Sequence, residues 1–152
     1  MLSWVPLLVA LQCVVADEPP VAQVTLPDGR VATASPSALR VGTRVFTACD
    51  GLPSAQPSAL TVRQGRLVIG FRAGGVFELA SERIDGHLFV RLPGPPQPVR
   101  ALAAEGARLY IGTNAGLWQL DGAGPVRFAG IRHRVSWISL RYCPEMLPET
   151  KS

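Results

Sequence analysis

The sequence predicts an all-β protein whose short antiparallel strands are grouped four to a sheet, and three observations carry that reading. Helical periodicity is hard to find after residue 17, because 15 glycines and 14 prolines interrupt nearly every window long enough to show it. Short apolar or alternating runs lie between turn residues instead. Finally, "GARLYIGTNAGLWQL", Gly106 to Leu120, restates the earlier "GRLVIGFRAGGVFEL", Gly65 to Leu79.

The first 16 residues stand apart from the rest. "MLSWVPLLVALQCVVA" carries an apolar run from Trp4 to Val15 and no charged side chain. That run is short of the ~20 residues that span a bilayer. Val14 and Ala16 are small residues placed as they would be before a signal-peptide cleavage that leaves Asp17 first. No Lys or Arg supplies the usual positive start, so a buried N-terminal strand or helix is the alternative for this stretch. Gln12 stands where a lipidation motif at Cys13 would need a small residue. Export implies a secreted or periplasmic location and no stable membrane span in the mature chain.

From residue 17 to residue 56 the sequence suggests a partial unit and a linker. Val21 to Ala34 offers a hairpin around "PDG", and Val41 to Thr47 reads as an outermost strand. "DGLPS" from Asp50 then leads into the next unit. Residues 57–97 and 98–130 are two full units, the second shorter. In the first, the strands are "SALTV" from Ser58, "RLVIGF" from Arg66, "VFELA" from Val76 and "HLFVRL" from His87. In the second they are "VRALA" from Val99, "RLYIGT" from Arg108, "LWQLD" from Leu117 and "PVRFA" from Pro125.

The two units are in register at a period of 42: Leu60 maps to Leu102, Ile69 to Ile111 and Gly70 to Gly112. One residue is then lost, so that Gly75 maps to Gly116. Four short strands in ~40 to 45 residues is the spacing of a β-propeller blade. The recurring residues suit structural work. Gly70 and Gly112 end a strand where backbones approach closely, Gly75 and Gly116 permit a positive φ, and Phe77 or Trp118 packs on the neighbouring unit.

Residues 131–152 break the pattern. "VSWISLRY" reads as an innermost strand reached by a shorter connection, yet all 15 glycines lie at or before Gly130. The expectation is a capping tail, or a blade cut short or read out of frame relative to a longer ancestor. About three blades are fewer than the four to eight of ordinary propellers, so closure within one chain is not expected. Exposed inter-blade faces favour either marginal stability or a homo-oligomer that completes a ring.

The charges exclude more than they suggest. Net charge is +4, but 14 of the 15 basic residues are arginines scattered from Arg30 to Arg141, with only "RHR" at Arg132 to Arg134 clustered. A nucleic-acid surface groups its cations on one element with aromatics between them, so no nucleic-acid partner is expected. Asp28, Asp50, Asp85 and Asp121 each precede a glycine and suit turns rather than a catalytic carboxylate pair. His87 and His133 stand 46 residues apart, without the convergent ligands that a metal needs, and no cofactor is implied. Serine-nucleophile and phosphate-loop motifs are absent. After removal of residues 1–16, Cys49 and Cys143 are the two cysteines left. In an exported chain they form a candidate disulfide. Closing a loop of nearly a hundred residues, it is worth up to ~4 to 5 kcal/mol in the chain-entropy picture.

"DGLPSAQPSALTVRQGRLVIGFRAGGVFELA" and "VRALAAEGARLYIGTNAGLWQLD" resemble the two-component regulator propeller repeat, whose pattern runs D-G-L-P-S, V-x-A-L, G-x-L-W-I-G-T-x-x-G-L. The resemblance spans about Val41 to Ala129. It departs at Val68 and Tyr110, where Trp is usual, and at Phe71 for the first Thr. It implies multi-bladed propellers of bacterial periplasmic sensing regions that bind ligands or partners, and it brings no catalytic residue. The expected function is therefore non-catalytic recognition of a ligand or protein. The alternatives are a propeller-scaffold hydrolase or lyase and a truncated remnant with no independent function. Between the two copies, Phe71-Arg72 is exchanged for Thr113-Asn114, and such variable loop positions suit recognition better than the repeated glycines do.

Overall fold

A computed structural model describes residues 19–131 except 54–55, 85, 96, 123 and 125, together with Val135 and Ile138. The expected signal peptide, the "RHR" cluster, Asp85, Cys143 and nearly all of residues 131–152 lie outside the described residues. Twelve strands, β1 (Ala22–Thr25), β2 (Val31–Ser35), β3 (Ala38–Val41), β4 (Arg44–Phe46), β5 (Pro57–Arg63), β6 (Arg66–Phe71), β7 (Val76–Ile84), β8 (His87–Leu92), β9 (Val99–Glu105), β10 (Arg108–Thr113), β11 (Leu117–Asp121) and β12 (Val126–Phe128), form three sheets. Each sheet is an antiparallel meander in chain order, β1 to β4, β5 to β8 and β9 to β12, and none closes into a barrel.

The first sheet is complete, where the sequence suggested a partial unit. The stretch Val41 to Thr47, expected as one outermost strand, is divided: Val41 ends β3, Gly42 and Thr43 turn with Gly42 at φ 60°, and Arg44 opens β4. The β1–β2 hairpin turns at "PDG" as expected, with Leu26 N donating to Arg30 O at 2.8 Å. Asp28 braces this turn by accepting from Arg30 N (3.0 Å) and Arg30 Nε (2.6 Å). The bond from the Arg30 backbone N–H, followed by that from its guanidinium, holds the Asp28 carboxyl below its ordinary value.

Between the first and second sheets runs a single 3-10 turn, Ala48–Asp50. Asp50 caps this turn. Its Oδ2 accepts from Thr47 N (3.1 Å), and Thr47 Oγ1 accepts from Cys49 N (3.2 Å). Cys49 is disulfide-bonded, to a partner outside the described residues.

Strand alternation sends successive side chains of β6 into two different cores. Leu67, Ile69 and Phe71 join Leu39, Val41, Phe46 and Phe89 between the first and second sheets. Val68 joins Val76, Val99, Leu109, Ile111 and Leu120 between the second and third. Each large side chain so buried is worth about 1.5–3 kcal/mol. Aromatic edges lock the packing, with Phe46 against Phe89 at 5.3 Å and Trp118 against Phe128 at 5.4 Å. The sheets approach most closely at their first strands, β5 lying beside β9 and beside β1 and β2.

One arginine is buried between the sheets. Arg63, at the end of β5, is 8% exposed. Its Nη1 donates to Gly122 O (3.1 Å) and Ala107 O (3.3 Å), two turns of the third sheet, and its Nη2 lies 3.8 Å from Glu78.

Candidate functional site

The residues that repeat are the ones that let the sheets meet. A Cβ on Gly70 would overlap Val99 Cγ1 at the start of β9. On Gly112 it would lie 2.7 Å from Val135 Cγ1 and 2.8 Å from Val135 O. Val135 thus meets the third sheet as Val99 meets the second, and its N–H donates to Thr113 O at 2.9 Å. Gly75 and Gly116 have φ 97° and 145° and close equivalent turns: Phe71 N donates to Gly75 O (3.1 Å) and Thr113 N to Gly116 O (2.9 Å). Trp118 packs into the core between the second and third sheets. These five residues hold backbone and core together, and none of them lines the cleft at the end of the sheets.

At the end of the sheets where β5 and β9 begin, a cleft of ≈ 840 Å³ opens. Equivalent positions of all three sheets build it. The β2–β3 turn contributes Pro36, the β6–β7 turn Arg72 and the β10–β11 turn Asn114. The starts of β5 and β9 contribute Pro57-Ser58 and Val99-Arg100. Arg72 and Asn114 are the second members of the exchanged pairs, and the fold brings them to one place. Their neighbours Phe71 and Thr113 are fully buried.

Thr113 fixes the turn that carries Asn114. Its hydroxyl donates to Gly116 O (2.9 Å) and accepts from Ala115 N and Gly116 N, both at 3.1 Å. Asn114 Oδ1 then accepts a short hydrogen bond from Arg100 Nε. On the other side, Gln56 ties two turns together, its N–H donating to Pro36 O (2.9 Å) and its carbonyl accepting from Arg72 N (3.0 Å). Gln56 does so at φ 61°, a left-handed conformation uncommon outside glycine. The Ser58 hydroxyl bridges β5 to Val99 O at 2.6 Å.

Sequence reasoning missed Arg100, Ser58 and Gln56. The first two were within reach of the 42-residue alignment, which sets Ser58 against Arg100 beside strand starts that are otherwise apolar. A smaller cleft of ≈ 260 Å³ between the first two sheets, lined in part by Arg30, Arg44 and Arg66, differs in that its cations are engaged. Arg30 pairs with Asp28 (2.6 Å), Arg66 with Glu78 (3.4 Å), and Arg44 lies over the Phe46 ring. Among the described residues there is no group of three or more His, Cys, Asp or Glu placed to hold a metal ion, and no helix long and apolar enough to cross a membrane. Comparison with protein-family models and with curated proteins gives no match.

Proposed function

We propose that the protein is an exported, non-catalytic recognition module of β-propeller type, and that it binds its ligand in the cleft where the first strands of the three sheets begin. The observation that carries this reading is the division of labour within the repeat. Positions that must be glycine or apolar for the sheets to stack recur, whereas those facing the cleft differ in chemistry: Pro36, Arg72 and Asn114 in the turns, Ser58 and Arg100 at the strand starts. A rigid scaffold with variable end loops is a common way to build a binding site. The volume falls in the range of small-molecule sites, roughly 300–1,000 Å³.

Among the described residues, the lining contains no Asp, Glu, His, Cys or Tyr, the usual donors and acceptors of protons in catalysis, which favours binding over turnover. A disulfide at Cys49 fits an oxidising compartment and thus export. Resemblance to the two-component regulator propeller repeat points the same way, towards bacterial sensing propellers. A thermal-shift screen of charged and neutral metabolites tests the reading. The expected result is a compound that raises the melting temperature of the protein but not that of Arg72→Ala/Asn114→Ala. Stabilisation by none of the compounds, or equal stabilisation of the double variant, overturns it.

A further inference from the structure

We propose that the cleft holds its ligand by an oxyanion group, a carboxylate, phosphate or sulfate, bound by Arg100 and Arg72. This rests on the recognition reading above and gives it a chemistry. Among the described residues, the only charged side chains lining the cleft are these two arginines. Arg30, Arg66 and Arg108 are each paired with a carboxylate, and Arg44 and Arg91 lie over phenylalanine rings. Among the described residues, Arg72 has neither kind of partner. Among the same residues, Arg100 has only the neutral amide of Asn114.

That amide is chemically informative. A carboxylate on Arg100 Nε would orient the guanidinium and cancel its charge together. The Asn114 carbonyl orients it and leaves the charge intact, with the Nη1/Nη2 edge still able to donate two parallel hydrogen bonds. Planar, bidentate recognition of an oxyanion uses that edge. The cleft is larger than one oxyanion, and Pro36, Pro57, Pro98 and Val99 give it apolar walls. The ligand is therefore a small organic anion, its charged group on the arginines and its carbon skeleton against the prolines.

Titration calorimetry on the whole protein tests this with citrate, inorganic phosphate and sulfate as probes, at constant ionic strength, beside the neutral probes glucose and sorbitol. Saturable binding of at least one anion is expected, and the comparison of citrate with the two inorganic ions separates a carboxylate from a phosphoryl or sulfuryl group. Arg100→Gln and Asn114→Asp should each weaken it about tenfold or more, the second by supplying an internal carboxylate while Arg100 stays in place. Arg72→Gln, at an exposed position and so compatible with folding, should weaken it by roughly threefold or more. Arg44→Gln, in the other cleft, should leave it unchanged. Failure of all three anions to bind, or full affinity in both Arg100→Gln and Asn114→Asp, overturns the proposal. Binding of a neutral probe alone overturns the oxyanion while leaving the recognition reading standing.

Discussion

Gly112 shows at the scale of one residue why the repeat looks as it does. Its Cα faces Val135 so closely that any side chain must push either a valine or a backbone carbonyl aside. Gly112→Val should cost about 1–3 kcal/mol through overpacking, a fall in melting temperature of roughly 3–12 °C by calorimetry. An unchanged melting temperature would mean that Val135 does not rest on this strand. Thr113 next door acts by hydrogen bonding rather than by shape. Thr113→Val keeps the volume but leaves the N–H groups of Ala115 and Gly116 without their acceptor, at a cost of about 1–3 kcal/mol. Denaturant unfolding measures this. Because the same hydroxyl holds the Asn114 turn, the variant should also weaken binding in the cleft.

At the scale of elements, the strands that could be read from the sequence are those bounded by unambiguous turn chemistry. β6, β8, β10 and β11 run over the expected residues because glycine punctuates the chain beside them. The first sheet was harder to divide. Gly42-Thr43 carries no Asp-Gly or Asn-Gly signature, so Val41 at the end of β3 was joined to β4 and the rest of β3 went unread. The β5–β6 turn has a similar weakness, with Gln64 at φ 51° ahead of Gly65 at φ 80°, the two positive angles of a tight hairpin turn. Asn tolerates that conformation better than Gln does. Gln64→Asn should therefore stabilise the protein by roughly 0.3–1 kcal/mol, read as a higher urea midpoint. A lower midpoint would show that the Gln64 side chain contributes more than its backbone strain costs.

Arg63 was not legible at all, since the carbonyls that it binds lie 44 and 59 residues further on, in turns that only the stacked sheets bring near. Arg63→Ala leaves Ala107 O and Gly122 O without this donor and Glu78 without its buried cation. It should cost about 2–4 kcal/mol in urea unfolding. A loss below about 0.5 kcal/mol would mean that water replaces the guanidinium there. The cleft lies between these cases. The exchange of Phe71-Arg72 for Thr113-Asn114 was visible by comparing the two copies, whereas the meeting of three turns and two strand starts in one place needed the fold.

The whole molecule raises the question of how a row of sheets ends. A ring needs every face to be apolar, and a count of about three blades in the sequence suggests that the outer faces seek a partner. On the first sheet the face turned away from the second carries Gln23, Thr25, Val31, Thr33 and Arg40, by strand alternation from Ala32, Leu39 and Val41 in the core. Thr33 and Arg40 pair across β2 and β3 as Ile69 and Phe77 pair across β6 and β7. Where the second sheet buries Ile69 completely, the first presents a threonine beside an exposed arginine, and Val31 is 39% exposed against 2% for Leu67. Desolvating Arg40 without a partner would oppose a sheet stacking here, as a polar outer face does on the terminal repeat of other stacked-repeat proteins. Ring closure through this face is thus disfavoured by the very positions that drive stacking elsewhere. Restoring the interior chemistry should remove the obstacle. Thr33→Ile/Arg40→Phe is expected to shift the protein towards dimers or larger species in light scattering, while Arg40→Glu leaves the mass unchanged. If Arg40→Glu instead dissociates an assembly of the parent protein, the face already serves as an interface and its polar residues pair across it.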